Sequence, residues 1–153
     1  MTIIGVISDT HGLLRPEAQT LLTGVDHIIH ARDIGGPDII PSLEKIAPVT
    51  AIKGNIDRAS WAGSFADEET LAIAGHKIFI LHNRNDWNGD PKASGFDIFI
   101  SGHSHKPAIE TIDGTLHLNP GSAGPRRFTL PIALATLELT GGSVLPRIHE
   151  ISP

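Results

Sequence analysis

The chain has 153 residues, 40% apolar and 19% charged, with 12 Lys and Arg against 17 Asp and Glu for a formal charge of −5. That length suits one domain, residues 1–153, with a core of its own, and the acidic balance argues against a basic face for sequence-independent binding to duplex nucleic acid. Cysteine is absent, which rules out disulfides, zinc ribbons and thiol nucleophiles.

Residues 3–7 are a short apolar run rich in β-branched side chains, the pattern of a strand covered on both faces. Proline opens a short helix over 16–22. A second buried strand covers 26–30 and closes on Ala31-Arg32-Asp33. A second helix covers 37–46, with Pro41 near its first turn, and a third strand covers 49–52 before Gly54-Asn55-Ile56-Asp57. This β-α-β-α-β order calls for parallel strands with crossover helices, whose ligands sit beyond the carboxyl ends of the strands. Asp9, His11, Asp33 and Asn55 all fall at such ends.

From Thr70 the pattern changes. Residues 70–73 and 77–81 read as a hairpin around Ala74-Gly75-His76, the second arm ending at His82. A helical or loop link over 90–95 leads to a buried strand at 97–100 and then to Gly102-His103-Ser104-His105. Strands at 108–112 and 116–118 flank Asp113-Gly114 and run into Asn119-Pro120-Gly121-Ser122. A last hairpin pairs 130–139 with 144–151. The expected fold is α/β and layered, with a parallel portion first and antiparallel strands later. No run approaches the roughly 18 apolar residues of a membrane span. Residues 1–7 are too short for a signal peptide and lack its basic leader, so the cytoplasm is the expected compartment.

In an extended backbone residues i and i+2 share a face, so His103 and His105 aim the same way, as do Asp9 and His11. With Asp33, Asn55 and His82 they make seven candidate ligands of mixed carboxylate, amide and imidazole character. That mixture suits first-row divalent ions: manganese first, with nickel, iron or zinc as alternatives. Seven ligands exceed one tetrahedral ion but fit two ions that share a bridging carboxylate. Two such ions about 3.5–4 Å apart clamp the attacking and leaving oxygens of a phosphoryl transfer.

Asp9-Thr10-His11, Arg32-Asp33, Gly54-Asn55-Ile56-Asp57, His82 and Gly102-His103-Ser104-His105 resemble the calcineurin-like metallophosphoesterases. They are closest to their small bacterial and archaeal phosphodiesterase branch, which shares its fold with the small retromer subunit. Asn119-Pro120-Gly121-Ser122 is similar to that branch's Asn-Pro-Gly-Ser signature. The resemblance implies two mixed β-sheets packed face to face with helices outside. It implies one metal on Asp9, His11, Asp33 and His105, and another on Asp33, Asn55, His82 and His103, with Asn55 and His103 also counted as catalytic. The implied activity is hydrolysis of a small phosphate ester, most naturally a diester, by in-line attack of a metal-bridging hydroxide. The resemblance also leaves room for a homo-oligomer.

Three departures from the family pattern bear on that expectation. Arg32 replaces a usual glycine; it either points away as a surface charge or leans over the site and binds phosphate bidentately. Ile56 replaces the histidine that larger relatives use as a general acid, a contribution of ~10²–10⁴ in rate, which favours good leaving groups. Asn83 replaces a common glycine and either reaches substrate or caps its loop. His27, His76, His117 and His149 read as surface or pairing residues, and His30 as a hydrogen-bonding neighbour of the site. A scaffold on the same fold and a phosphomonoesterase are the competing readings.

Overall fold

The computed structural model describes residues 1–52, 68–81, 95–102, 106–112, 114–125 and 130–151. In chain order its elements are β1 (Thr2–Ile7), α1 (Pro16–Leu22), β2 (His27–His30), α2 (Ile39–Glu44), β3 (Val49–Ala51), β4 (Glu69–Ile73) and β5 (His76–Leu81). They continue with β6 (Ile98–Ser101), β7 (Ala108–Ile112), β8 (Thr115–Asn119), β9 (Ile132–Leu139) and β10 (Val144–Ile151). The strands form two mixed sheets of five, ordered β10-β9-β1-β2-β3 and β4-β5-β6-β8-β7.

Side-chain alternation along β1 explains the layering. Ile4 and Val6 pack with Ile29, Leu137, Ile80, Ile98 and Ile100 in a buried cluster drawn from both sheets. Ile7 faces the other way, into a cluster with Leu22 of α1 and Leu43 of α2. Gly5 shares that outer face, where a Cβ would lie 2.3 Å from Leu22 Cδ2, so α1 rests on the bare strand backbone. The second sheet repeats the alternation: Ile78 and Ile80 point inward, while Phe79 and Leu81 point outward and join Phe99. The result is the expected α/β sandwich of two mixed sheets with helices outside.

Local signals placed several boundaries. α1 starts on Pro16 at its first turn, where the missing N–H has no intrahelical partner to lose. α2 is shorter than the expected 37–46; Pro41 stands at its third residue, still within the turn whose N–H groups go unpaired. The β4–β5 turn is two residues long, with Ala74 at φ 53° and Gly75 at φ 81°, so Ile73 pairs with His76 and the second arm begins there.

One expectation is corrected. The later half is not simply antiparallel, because β5 pairs parallel with β6 and β6 parallel with β8. β7 reverses the chain at the sheet edge and β8 returns beside β6, so the hairpin itself creates the parallel neighbour. The closing hairpin returns to the first sheet, where β9 runs antiparallel to β1.

Candidate metal centre

The parallel register sets Ile7 of β1 beside His30 of β2. The ladder then continues past both strand ends: Asp9 N donates to Arg32 O at 2.9 Å, His11 N to Asp33 O at 3.0 Å, and Gly12 N to Ile34 O at 2.9 Å. The loop that carries Asp9 and His11 is thus clamped to the loop that carries Asp33. Asp9, His11 and Asp33 offer ligand atoms that all lie within 4.8 Å of one another, and His11 Nε2 is 3.8 Å from Asp33 Oδ2.

How they converge differs from the extended-strand expectation. Asp9 (φ 56°), His11 (φ 47°) and Asp33 (φ 52°) are left-handed, and Arg32 has φ 115°. Among the described residues, only Ala74 in the β4–β5 turn is another non-glycine with positive φ. Such conformations cost about 1–3 kcal/mol each and persist where the surroundings over-determine them, typically at functional sites. Here tight left-handed turns, not strand alternation, turn Asp9 and His11 toward Asp33.

The carboxylates are crowded and dry. Asp9 is fully buried, and the Asp33 side chain is 13% exposed. Burial, with the neighbouring Asp33 charge, pushes the Asp9 carboxyl up from 3.8 to about 7, against the opposing pull of Ser8 and Arg32. Ser8 Oγ donates to Asp9 Oδ2 at 2.9 Å. Across the sandwich, Gly102 at the end of β6 abuts the same group. A Cβ there would sit 3.0 Å from Ser8 Oγ and 3.4 Å from Asp9 Oδ2. The residue that precedes His103 is therefore pressed against the Asp9 carboxylate.

Arg32 is buried, 6% exposed, with Nε 3.5 Å from Asp33 Oδ1. It lies against the site and not in solvent. Among the described residues, neither Arg32 Nε nor Asp33 Oδ1 has a hydrogen-bond partner. A pair of converging carboxylates, an imidazole, and a buried carboxylate oxygen without a hydrogen bond is a donor set that fits a divalent cation.

His30 stitches the two loops from behind. Thr10 Oγ1 donates to Ile34 O at 2.8 Å, so it accepts from His30 Nε2 at 2.9 Å. That leaves Nδ1 to accept from Arg32 N at 3.2 Å. The tautomer is Nε2–H, and His30 is a partner of the loops and not a member of the ligand cluster. Ser8 and Thr10 were not singled out in the sequence; nothing in their spacing distinguishes a loop hydroxyl that bonds a carboxylate from one that faces water. Of the other histidines, His27 bonds Thr50 Oγ1 at 2.8 Å and burial lowers its pKa, His76 bonds Thr140 O at 2.6 Å, His117 packs on Phe99, and His149 bonds Thr136 Oγ1 at 2.9 Å.

Asn55, Ile56, Asp57, His82, Asn83, His103, His105 and residues 90–94 of the expected link lie outside the described residues. Three of the seven expected ligands are therefore placed by the structure, and these three come together.

A family model described as a calcineurin-like phosphoesterase superfamily domain matches residues 1–142. The chain is 36% identical over 141 residues to a probable metallophosphoesterase of Methanothermobacter thermautotrophicus, covering 84% of this chain and 81% of the relative. It is 28% identical over 137 residues to a phosphodiesterase of Methanocaldococcus jannaschii, covering 77% of this chain and 82% of the relative. In three dimensions it resembles Vacuolar Protein Sorting 29 from Cryptosporidium parvum, with a TM-score of 0.79 at 19% identity, covering 99% of this chain and 98% of the other.

Proposed function

The chain belongs to the calcineurin-like phosphoesterase superfamily, and from that premise we propose that it is a phosphodiesterase that hydrolyses a small phosphate ester at a dinuclear centre. The observation that carries this reading is the convergence of Asp9, His11 and Asp33 at two adjoining strand ends. The family supports a metal-dependent phosphoesterase; the M. jannaschii relative's name supports the diester.

In this reading Asp9, His11, Asp33 and His105 hold one ion, and Asp33, Asn55, His82 and His103 hold the other, with Asp33 shared. When bound, two divalent ions supply Lewis-acid charge at the phosphoryl group and acidify the attacking water. The chain's own residues do the rest. Asp9 and Asp33 provide negative charge in a dry setting, where it attracts cations strongly. Arg32, held against Asp33, presents a guanidinium that binds a phosphate oxygen, and Asn83 is a further substrate contact. Asn55 and His103 take the catalytic roles that the family resemblance implies. Ile56 offers no proton to the leaving group, so activated esters turn over faster. Manganese as the working ion, the cytoplasm as compartment and assembly into a homo-oligomer belong to the same proposal.

The fold-level likeness to Vacuolar Protein Sorting 29 keeps a scaffold as the second reading. One experiment separates them: metal analysis and hydrolysis of bis(p-nitrophenyl) phosphate after reconstitution with manganese, for wild type, Asp33→Ala and His82→Ala. Two ions per chain, with turnover lost in both variants, is the expected result. Wild-type protein without bound metal or turnover would establish the scaffold instead, and faster cleavage of the monoester would replace the diesterase by a phosphomonoesterase.

A further inference from the structure

Asn119-Pro120-Gly121-Ser122 has no task in the chemistry above, yet it is bonded both to Gly102 at the end of β6 and to Asp9 beyond β1. β8, in the second sheet, ends at Asn119, and the chain crosses from there to β9 in the first sheet. Asn119 Nδ2 donates at 3.1 Å to Gly102 O, the carbonyl of the peptide that leads into His103. Its Oδ1 accepts from Gly121 N at 2.9 Å, which fixes the carboxamide plane. Gly121 (φ 80°) then packs on Pro107, where a Cβ would sit 2.8 Å from Pro107 Cγ. Gly102 is thereby bonded to the Asn119 side chain, and Pro107 packs on the Gly121 that the same side chain holds.

The same segment grips the carboxylate loop. Ser122 Oγ donates to Asp9 O at 3.2 Å, and Ala123 N donates to Ser8 O at 3.0 Å. Two residues on, Gly124 has no room for a side chain: a Cβ would lie 2.2 Å from Thr10 O.

We propose that Asn119 is a positioning residue for the metal centre. Its carboxamide fixes the Gly102 carbonyl and, together with Ser122, holds Gly102 against the Asp9 loop. The end of β6, from which the chain runs on to His103, is thus registered against the Asp9 carboxylate of the first sheet. This assignment rests on reading the site as a metal centre. Partners that orient metal ligands are typically worth 10–100-fold in affinity or activity.

Asn119→Asp is the discriminating variant, because it keeps the acceptor for Gly121 N and replaces the donor to Gly102 O by an oxygen. Three quantities are measured beside wild type: manganese affinity by calorimetry, kcat and KM for bis(p-nitrophenyl) phosphate, and the thermal midpoint in EDTA. The expected result is a 10–100-fold loss of manganese affinity and a parallel fall in kcat, with KM changed little. The midpoint in EDTA should stay within about 4 °C, the shift of roughly 1 kcal/mol for a chain of this size. Ser122→Ala, which removes the tie to Asp9 O and is a small change, should weaken manganese in the same direction and serves if Asn119→Asp does not fold. Wild-type manganese affinity in either folded variant overturns the assignment, as does a lowered midpoint with unchanged affinity. Wild-type protein that binds no manganese overturns the phosphoesterase reading itself, a separate outcome from variants that match a metal-binding wild type.

Discussion

Replacing Asp9 by asparagine should stabilise the protein in chelator while destroying its candidate metal site. The Asp9 carboxyl is fully buried beside Asp33 and ionises near pH 7 in the folded chain, against 3.8 for an ordinary aspartate. Between those values the folded state carries a proton that the unfolded state has released. Stability therefore falls as pH rises through this window and levels off above pH 7. The gap corresponds to roughly 4 kcal/mol, a large fraction of the ~5–15 kcal/mol that holds a domain together. Asparagine keeps the shape and has no charge to bury.

Urea denaturation in EDTA at pH 5, 6, 7 and 8 tests this directly. The wild type should lose stability across the series, and the difference in favour of Asp9→Asn should grow to several kcal/mol by pH 8. His27, whose pKa burial lowers below 6.5, costs stability as pH falls below that value in both proteins, so it cancels in the difference. Manganese at about 100 times its Kd should return ~2.7 kcal/mol to the wild type and nothing to the variant. A difference that is flat from pH 5 to 8, or a variant less stable than wild type at pH 8, would refute the argument that the site stores unfavourable charge for a cation to relieve.

Two further substitutions probe the surroundings. Gly124→Ala would place a methyl 2.2 Å from Thr10 O and 2.6 Å from Asp9 O; backbone cannot yield as a flexible side chain does, so a loss of ~1–3 kcal/mol and weaker manganese binding are expected by urea denaturation and calorimetry. Arg32→Gly removes a side chain from a φ of 115° and so relieves ~1–3 kcal/mol of strain, but it deletes the proposed charged phosphate contact, a contribution of about 1.5–3 kcal/mol. KM for the diester should rise roughly 10- to 100-fold while the chelated protein melts no lower; an unchanged KM would remove Arg32 from substrate binding.

Much of the architecture was legible because its signals are local. Proline at 16 starts a helix wherever it stands first, β-branched runs form covered strands, and ligand-type residues directly after such runs fall at strand ends. Even the bonding role of His30 followed from its place three residues before Asp33. Other features depend on residues far apart in the chain. The partners of β6 are chosen by how the β7–β8 hairpin folds back, and β9 reaches β1 only after the chain has crossed between sheets. Burial of Arg32 against Asp33 likewise reflects a neighbouring loop, since the residue type alone favours solvent. The left-handed turns at Asp9, His11 and Asp33 oppose local preference and are held by the ladder between two loops. Residue identity thus determined the family and set Asp9, His11 and Asp33 beyond the ends of β1 and β2. The tertiary structure decided how those three residues meet, because only contacts between distant segments can hold a backbone in conformations that its own residues disfavour.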